Sequence, residues 1–217
     1  MKRREFTAKL LVATAGTAAI GQAALSQAQG TPAEGKQYVR LSQPLPSAAG
    51  AKIEVVEFFW YGCPHCSEFE PMLDAWAKKL PADVSFRRVP VAFRDEPFGS
   101  HQRIFYALEA MGQVDALHRK VFYAIHNDRA KLDKPADIAA FMAKNGLDSA
   151  KFLDVFNSFS VQTKARQAKQ LSESYKIDGV PAMGIHGRYY TSGSLAGSND
   201  RALAVADFLI QRTRKGG

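Results

Sequence analysis

Between Ile53 and Trp60 the chain reads IEVVEFFW, a mostly apolar run rich in β-branched and aromatic residues. A run of that length and composition predicts a central strand covered on both faces. Tyr61-Gly62 ends it. Pro64 then opens a helix to about Leu80, because the N–H missing at a first helical position would have had no partner anyway. Phe69, Leu73, Trp76, Ala77 and Leu80 supply its apolar stripe at helical spacing. Pro81 stops the helix, and Val84 to Val91 reads as a second strand. A right-handed crossover would set it parallel to the first.

From Pro97 to Arg166 the pattern is helical throughout. Ile104, Phe105, Leu108 and Met111 form one stripe, and Leu117, Val121, Phe122 and Ile125 a second. Ile138, Phe141 and Met142 form a third, and Phe152, Leu153 and Phe156 a fourth. A long helix follows, with Val161, Ala165, Ala168, Leu171 and Tyr175 on one side. Strand character returns at Val180 to Ile185. His186-Gly187 turns it into Arg188-Tyr189-Tyr190, giving a hairpin. Gly193 and Gly197 mark a loop, and Ser198 or Asn199 can cap a last helix lined by Leu203, Ala206, Leu209 and Ile210. Upstream, Tyr38 to Leu41 alternates like an edge strand, after a polar lead-in over 29–37. The order β, βαβ, helical block, α, ββ, α predicts an α/β protein. A central mixed sheet would be flanked by helices, with an all-helical domain inserted at 97–166 between halves at 29–96 and 167–217.

The first residues do not fit that scheme. Lys2, Arg3, Arg4 and Lys9 precede an uncharged stretch from Leu10 to Leu25, and Ser26-Gln27-Ala28 is a small-residue cleavage pattern. Residues 1–28 therefore read as a signal peptide cleaved near Ala28, implying export. Arg3-Arg4-Glu5-Phe6 also resembles a twin-arginine export motif. Removing four basic residues and Glu5 lowers the formal charge from +8 to +5. That surplus favours anionic surfaces in general, but no basic cluster interleaved with aromatics points to nucleic acid.

Export gives meaning to the only two cysteines, which sit as Cys63-Pro64-His65-Cys66. Disulfides persist outside the cytosol, yet closing so short a loop stabilises the fold little. A zinc site would need two further ligands, and the other four histidines show no paired ligand spacing. A redox role fits better. With Cys63 at the N-cap and Cys66 one turn inside, the free N–H groups and the helix dipole favour a Cys63 thiolate. His65 adds an imidazole beside it. Stabilising the thiolate stabilises the reduced pair, so the disulfide becomes oxidising. Cys63 is thus expected to be attacked by substrate, with Cys66 as the buried resolving thiol. No cofactor is expected.

Phe58 to Cys66 (FFWYGCPHC), followed by Phe69 and Glu70, resembles the active site of the DsbA family, and Gly179-Val180-Pro181-Ala182-Met183 resembles its cis-proline loop. The likeness covers nearly the whole mature chain. It implies a thioredoxin fold with a helical insertion, a periplasmic location and oxidation of reduced exported proteins. It further implies a membrane quinone-linked partner resembling DsbB, and a monomer. By the same resemblance Pro181 follows a cis bond and faces the cysteines, with Pro64 between them. Val180 would offer its backbone to substrate beside an apolar groove. Glu57 would lie beneath the cysteines and relay a proton or temper the thiolate, an exposed strand-end position being the alternative. Glu70 would support the active-site helix rather than sit on a solvated face. Arg88 stands where the family often has a lysine, and a guanidinium does not release a proton. An isomerase or reductant of the same fold, or a non-redox peptide-binding module, is the competing expectation.

Overall fold

The computed structural model describes residues 30–216. The expected signal peptide lies outside them. The edge strand β1 (Val39–Arg40) comes first, then β2 (Ile53–Phe59), helix α1 (Pro64–Ala77) and β3 (Val84–Pro90). The helical block contains α2 (Phe98–Ala110), α3 (Val114–His126), α4 (Pro135–Lys144) and α5 (Ser149–Phe156). Next come α6 (Phe159–Ser174), the hairpin β4 (Ala182–Ile185) and β5 (Tyr189–Ser192), the short α7 (Gly193–Ala196) and α8 (Asn199–Arg214). The helix α6 runs across position 166, where the sequence suggested a boundary.

The strands form a mixed sheet in the order β1-β5-β4-β2-β3. β2 pairs parallel with β3 and antiparallel with β4, so it is central, and all seven of its residues are buried. From Ile53 to Phe58 its side chains alternate between two cores, as the period of two requires, and Phe59 at its end joins the helical block as well. Val56 and Phe58 join Ile104, Leu108, Val121 and Phe152 of the helical block. Ile53 and Val55 join Phe69 and Leu73 of α1 and Leu203, Ala206 and Leu209 of α8. Each fully buried Leu or Phe of this kind stabilises the fold by about 1.5–3 kcal/mol.

Two elements differ from the expectation. α1 ends at Ala77 rather than Leu80, because Pro81 disfavours helical backbone at the residue before it. The supposed loop at Gly193 is α7: Leu195 N–H donates to Ser192 Oγ at 3.2 Å, and Gly197 closes the turn at φ +95. Both glycines mark the limits of a helix, one of them the left-handed cap. At the start of α8 the capping residue is Ser198, whose Oγ accepts from Arg201 N–H at 3.2 Å.

Candidate active site

The carboxyl end of β2 delivers the chain into a turn at Tyr61-Gly62, closed by Cys63 N–H donating to Trp60 C=O at 2.9 Å. Cys63 is the N-cap of α1 and Pro64 begins the helix. Both cysteines are free thiols and buried, Cys63 8% exposed and Cys66 fully enclosed. A hydrogen bond from the Cys66 thiol holds the Cys63 thiol down from an ordinary 9.0 to about 6. Burial opposes this, while the backbone N–H groups of Cys66 and His65 and then the His65 charge assist it. Burial pushes Cys66 the other way, well above the usual thiol range. The two sulfurs are therefore split into a ready thiolate and a reluctant one. The His65 ring is mostly solvent-exposed and faces Glu68 at 3.6 Å, so its backbone does more for the sulfur than its imidazole.

The Val180–Pro181 bond is cis, and the Cys63 thiol donates to Val180 C=O at 3.4 Å. A cleft of about 560 Å³ runs from His65 past Val180 and Pro181 to Ser192, Ser194 and Asn199. The expected apolar groove is thus lined with hydroxyl and amide groups along its far wall. A second cis bond, Glu96–Pro97, sits at the entry to α2 and was not signalled by the sequence.

Beneath the cysteines lies a buried polar chain. Glu57 and Glu70 are 0% and 1% exposed, which excludes both solvated alternatives. Arg88 Nη2 donates to Glu70 Oε2 at 2.8 Å and also to Asp74. Its Nε lies 3.1 Å from Glu57 Oε2, outside hydrogen-bond geometry, and neither Glu57 oxygen has a hydrogen-bond partner among the described residues. One guanidinium thus serves three carboxylates, and the least satisfied carries the cost. Burial and then Glu70 push Glu57 well above the usual carboxylate range, against the pull of Arg88. For Glu70, burial is outweighed by His118 and Arg88, and its carboxyl is held down. His118 Nε2 lies 3.0 Å from Glu70 Oε1, and its Nδ1 lies 2.8 Å from the Tyr61 hydroxyl. An ionised Glu70 only accepts, so Nε2 carries the proton and Nδ1 accepts from Tyr61.

A model of the DSBA-like thioredoxin domain matches residues 98–204. The thiol:disulfide interchange protein DsbA of Azotobacter vinelandii is 47% identical over 180 residues, 83% of this chain and 84% of that protein. Its counterpart in Bordetella parapertussis is 45% identical over 216 residues, 99% of this chain and all of that one. The chain belongs to the DsbA family of thiol:disulfide interchange proteins. The crystal structure of Pseudomonas aeruginosa DsbA superposes with a TM-score of 0.81 at 44% identity, covering 84% of this chain and 94% of that one. Reduced DsbA1 from Neisseria meningitidis gives 0.75 at 27%, covering 87% and 98%. This DsbA-family protein is accordingly a thiol:disulfide oxidoreductase with a thioredoxin-like α/β fold.

The structure gathers Cys63, Pro64, His65, Val180 and Pro181 about one cleft end, with Cys66 enclosed beneath them and Glu57 and Glu70 deeper still. Tyr61 lies in the motif quoted from the sequence but was given no role there, and sequence reasoning did not pick out His118 and His126, which the structure brings against Tyr61. The available signal was positional: His118, Phe122 and His126 recur every fourth residue beside the apolar stripe of α3, where a solvated histidine would be out of place.

Proposed function

We propose that this protein acts in the periplasm as a net dithiol oxidase, donating a Cys63–Cys66 disulfide to reduced exported proteins. The observation that carries the reading is the split of the two thiols, Cys63 lowered to about 6 and Cys66 raised. A substrate thiolate attacks Cys63 Sγ, the Cys63–Cys66 bond breaks, and Cys66 takes up the electron pair and then a proton. A second substrate thiolate attacks the substrate sulfur of the mixed disulfide. Cys63 leaves as a thiolate, a good leaving group because its basicity is low. Two electrons have moved to the cysteine pair, and the substrate holds the new disulfide.

Each residue has a place in this sequence. The N–H groups of His65 and Cys66 stabilise the departing Cys63 sulfur. Val180 lends its backbone to a substrate strand beside Pro181, as in strand addition. Glu57, its carboxyl pushed well above the usual range by burial, lies where its ionised form raises the Cys66 thiol further, and it exchanges that thiol's proton. Arg88 holds Glu70 and Asp74 and balances Glu57 without itself giving up a proton. Residues 1–28 serve as the export signal, and residues 97–166 as the inserted domain. A quinone-linked membrane partner like DsbB reoxidises the monomeric protein.

The test is iodoacetamide alkylation of the reduced protein against pH, with the redox equilibrium against glutathione measured alongside. The expected ionisation midpoint is about 6, with Cys66 unreactive. A midpoint at an ordinary 9.0 would overturn the oxidase reading.

A further inference from the structure

Tyr61 stands two positions before Cys63 and is fully buried. Both of its polar ends are held by one helix. Its hydroxyl donates to His118 Nδ1 at 2.8 Å, and its carbonyl accepts from His126 Nε2 at 2.8 Å. The two histidines are eight residues apart, a little over two turns of α3, and so leave the same side of that helix. The Phe122 ring packs between them, its centroid 5.2 Å from His118 and 6.1 Å from His126.

What they hold is the turn that places the redox thiol. Tyr61 and Gly62 are its two central residues, and Cys63 N–H closes it. A turn of this kind fixes where α1 starts. That in turn fixes whether the N–H groups of His65 and Cys66 point at Cys63 Sγ. The turn is also hemmed in at Gly62. A Cβ on Gly62 would lie 2.2 Å from the Trp60 ring, and that ring stacks on Phe98 of α2 at 4.0 Å. The turn is therefore clasped between two helices of the insertion. The polar half of the clasp comes wholly from α3.

We propose that His118 and His126 are positioning residues of the redox site, through which the helical insertion holds the Tyr61 turn and so sets the ionisation of Cys63. The proposal rests on the oxidase reading above. Neither histidine touches the sulfur; both act through Tyr61. His118 is faced by Glu70 of α1 and the Tyr61 hydroxyl, with Arg88 of β3 and Asp74 of α1 beyond. His126 is faced by the Tyr61 carbonyl, with the His101 ring of α2 nearby.

Three substitutions in the full chain separate positioning from simple support. Tyr61→Phe removes only the hydroxyl. His126→Ala removes a donor, and His126→Gln keeps an amide donor in its place. For each, alkylation of reduced Cys63 against pH, the glutathione equilibrium and thermal stability are measured. Y61F and H126A are expected to raise the ionisation midpoint by about half a unit or more, roughly a threefold change in thiolate equilibrium. Their disulfides should become correspondingly less oxidising, and H126Q should restore the wild-type midpoint. If Y61F and H126A lose only thermal stability while the midpoint and potential stay put, the proposal falls. Failure of H126Q to restore the midpoint of H126A would likewise count against it. A wild-type midpoint at 9.0 would instead remove the oxidase reading itself.

Discussion

At the scale of single residues, the Cys63 sulfur links function to stability. Its ionisation is lowered in the fold, so the stabilisation it gives the reduced protein is present in full above 9.0 and is lost as pH falls through about 6. Between those limits each pH unit upward adds about 1.4 kcal/mol to the reduced fold. The oxidised protein has no such titration. The melting temperature of the reduced form minus that of the oxidised form should therefore rise from pH 6 to 9 and level off below 6. A difference that ignores pH across this window would contradict the lowered thiol. Glu57 works with the opposite sign. Its folded value is raised, so the protein loses stability as pH climbs from the ordinary 4.5 through the folded value. Glu57→Gln should flatten that decline, and thermal melts of both proteins between pH 5 and 8 should converge toward the acid end. The cysteines and Pro64 were legible because their chemistry is written in adjacent letters, whereas the cis bond before Pro181 came only through the family resemblance, since a sequence does not show which isomer a proline takes. His118 was not legible, because its meaning comes from Glu70 and Tyr61, both about fifty positions away in the chain.

Elements were legible where one periodicity decided them. β2 is buried on both faces and reads as a mostly apolar run; the helices of the helical block each show a stripe. One failure came where a glycine had local partners that a pattern does not reveal: Ser192 and Gly197 bracket α7 where a loop was expected. Pro71 leaves the expected α1 unbroken because it sits on the exposed side, where water can satisfy the carbonyl that lacks its N–H. The meeting of β4 with α6 was equally hidden. A Cβ on Gly184 would stand 2.6 Å from the Tyr175 ring and 3.1 Å from Phe58. Tyr175 cannot swing aside cheaply, since its hydroxyl accepts Gly187 N–H at 2.8 Å and its ring meets Phe58 edge-on at 5.1 Å. Gly184→Ala should therefore destabilise the protein by about 1–3 kcal/mol through overpacking. Chemical denaturation measures it. Because the strain sits at the β4 end away from Pro181, the alkylation midpoint of Cys63 should stay unchanged.

For the whole molecule the question is whether the insertion is a separate body or part of the same core. The apolar cluster that holds Val56, Phe58, Cys63 and Cys66 continues without a break into Ile104, Leu117, Ile138 and Phe156, and the described residues from Pro32 onward group as one compact unit. Polar ties cross the same seam, from His118 to Glu70 and from Gln102 Nε2 to Pro90 C=O at 2.8 Å. Pulling the insertion away would expose the active-site turn and strand Glu70 and Arg88 in a half-emptied charge cluster. Removing one partner from buried ionic contacts costs several kcal/mol, comparable to the whole stability of many domains. Independent unfolding of the insertion is thus disfavoured, and a single cooperative transition is expected. Two tryptophans make this testable. Trp60 stacks on Phe98 at the seam, whereas Trp76 lies on α1 against Asp207 of α8. With Trp76 replaced by Phe, Trp60 fluorescence reports the seam alone, and far-ultraviolet circular dichroism reports all helices. The two denaturation curves should coincide. A seam that opens at lower denaturant than the helices melt would show the insertion moving as its own domain. It would also locate the weakest contact of the molecule next to its redox site.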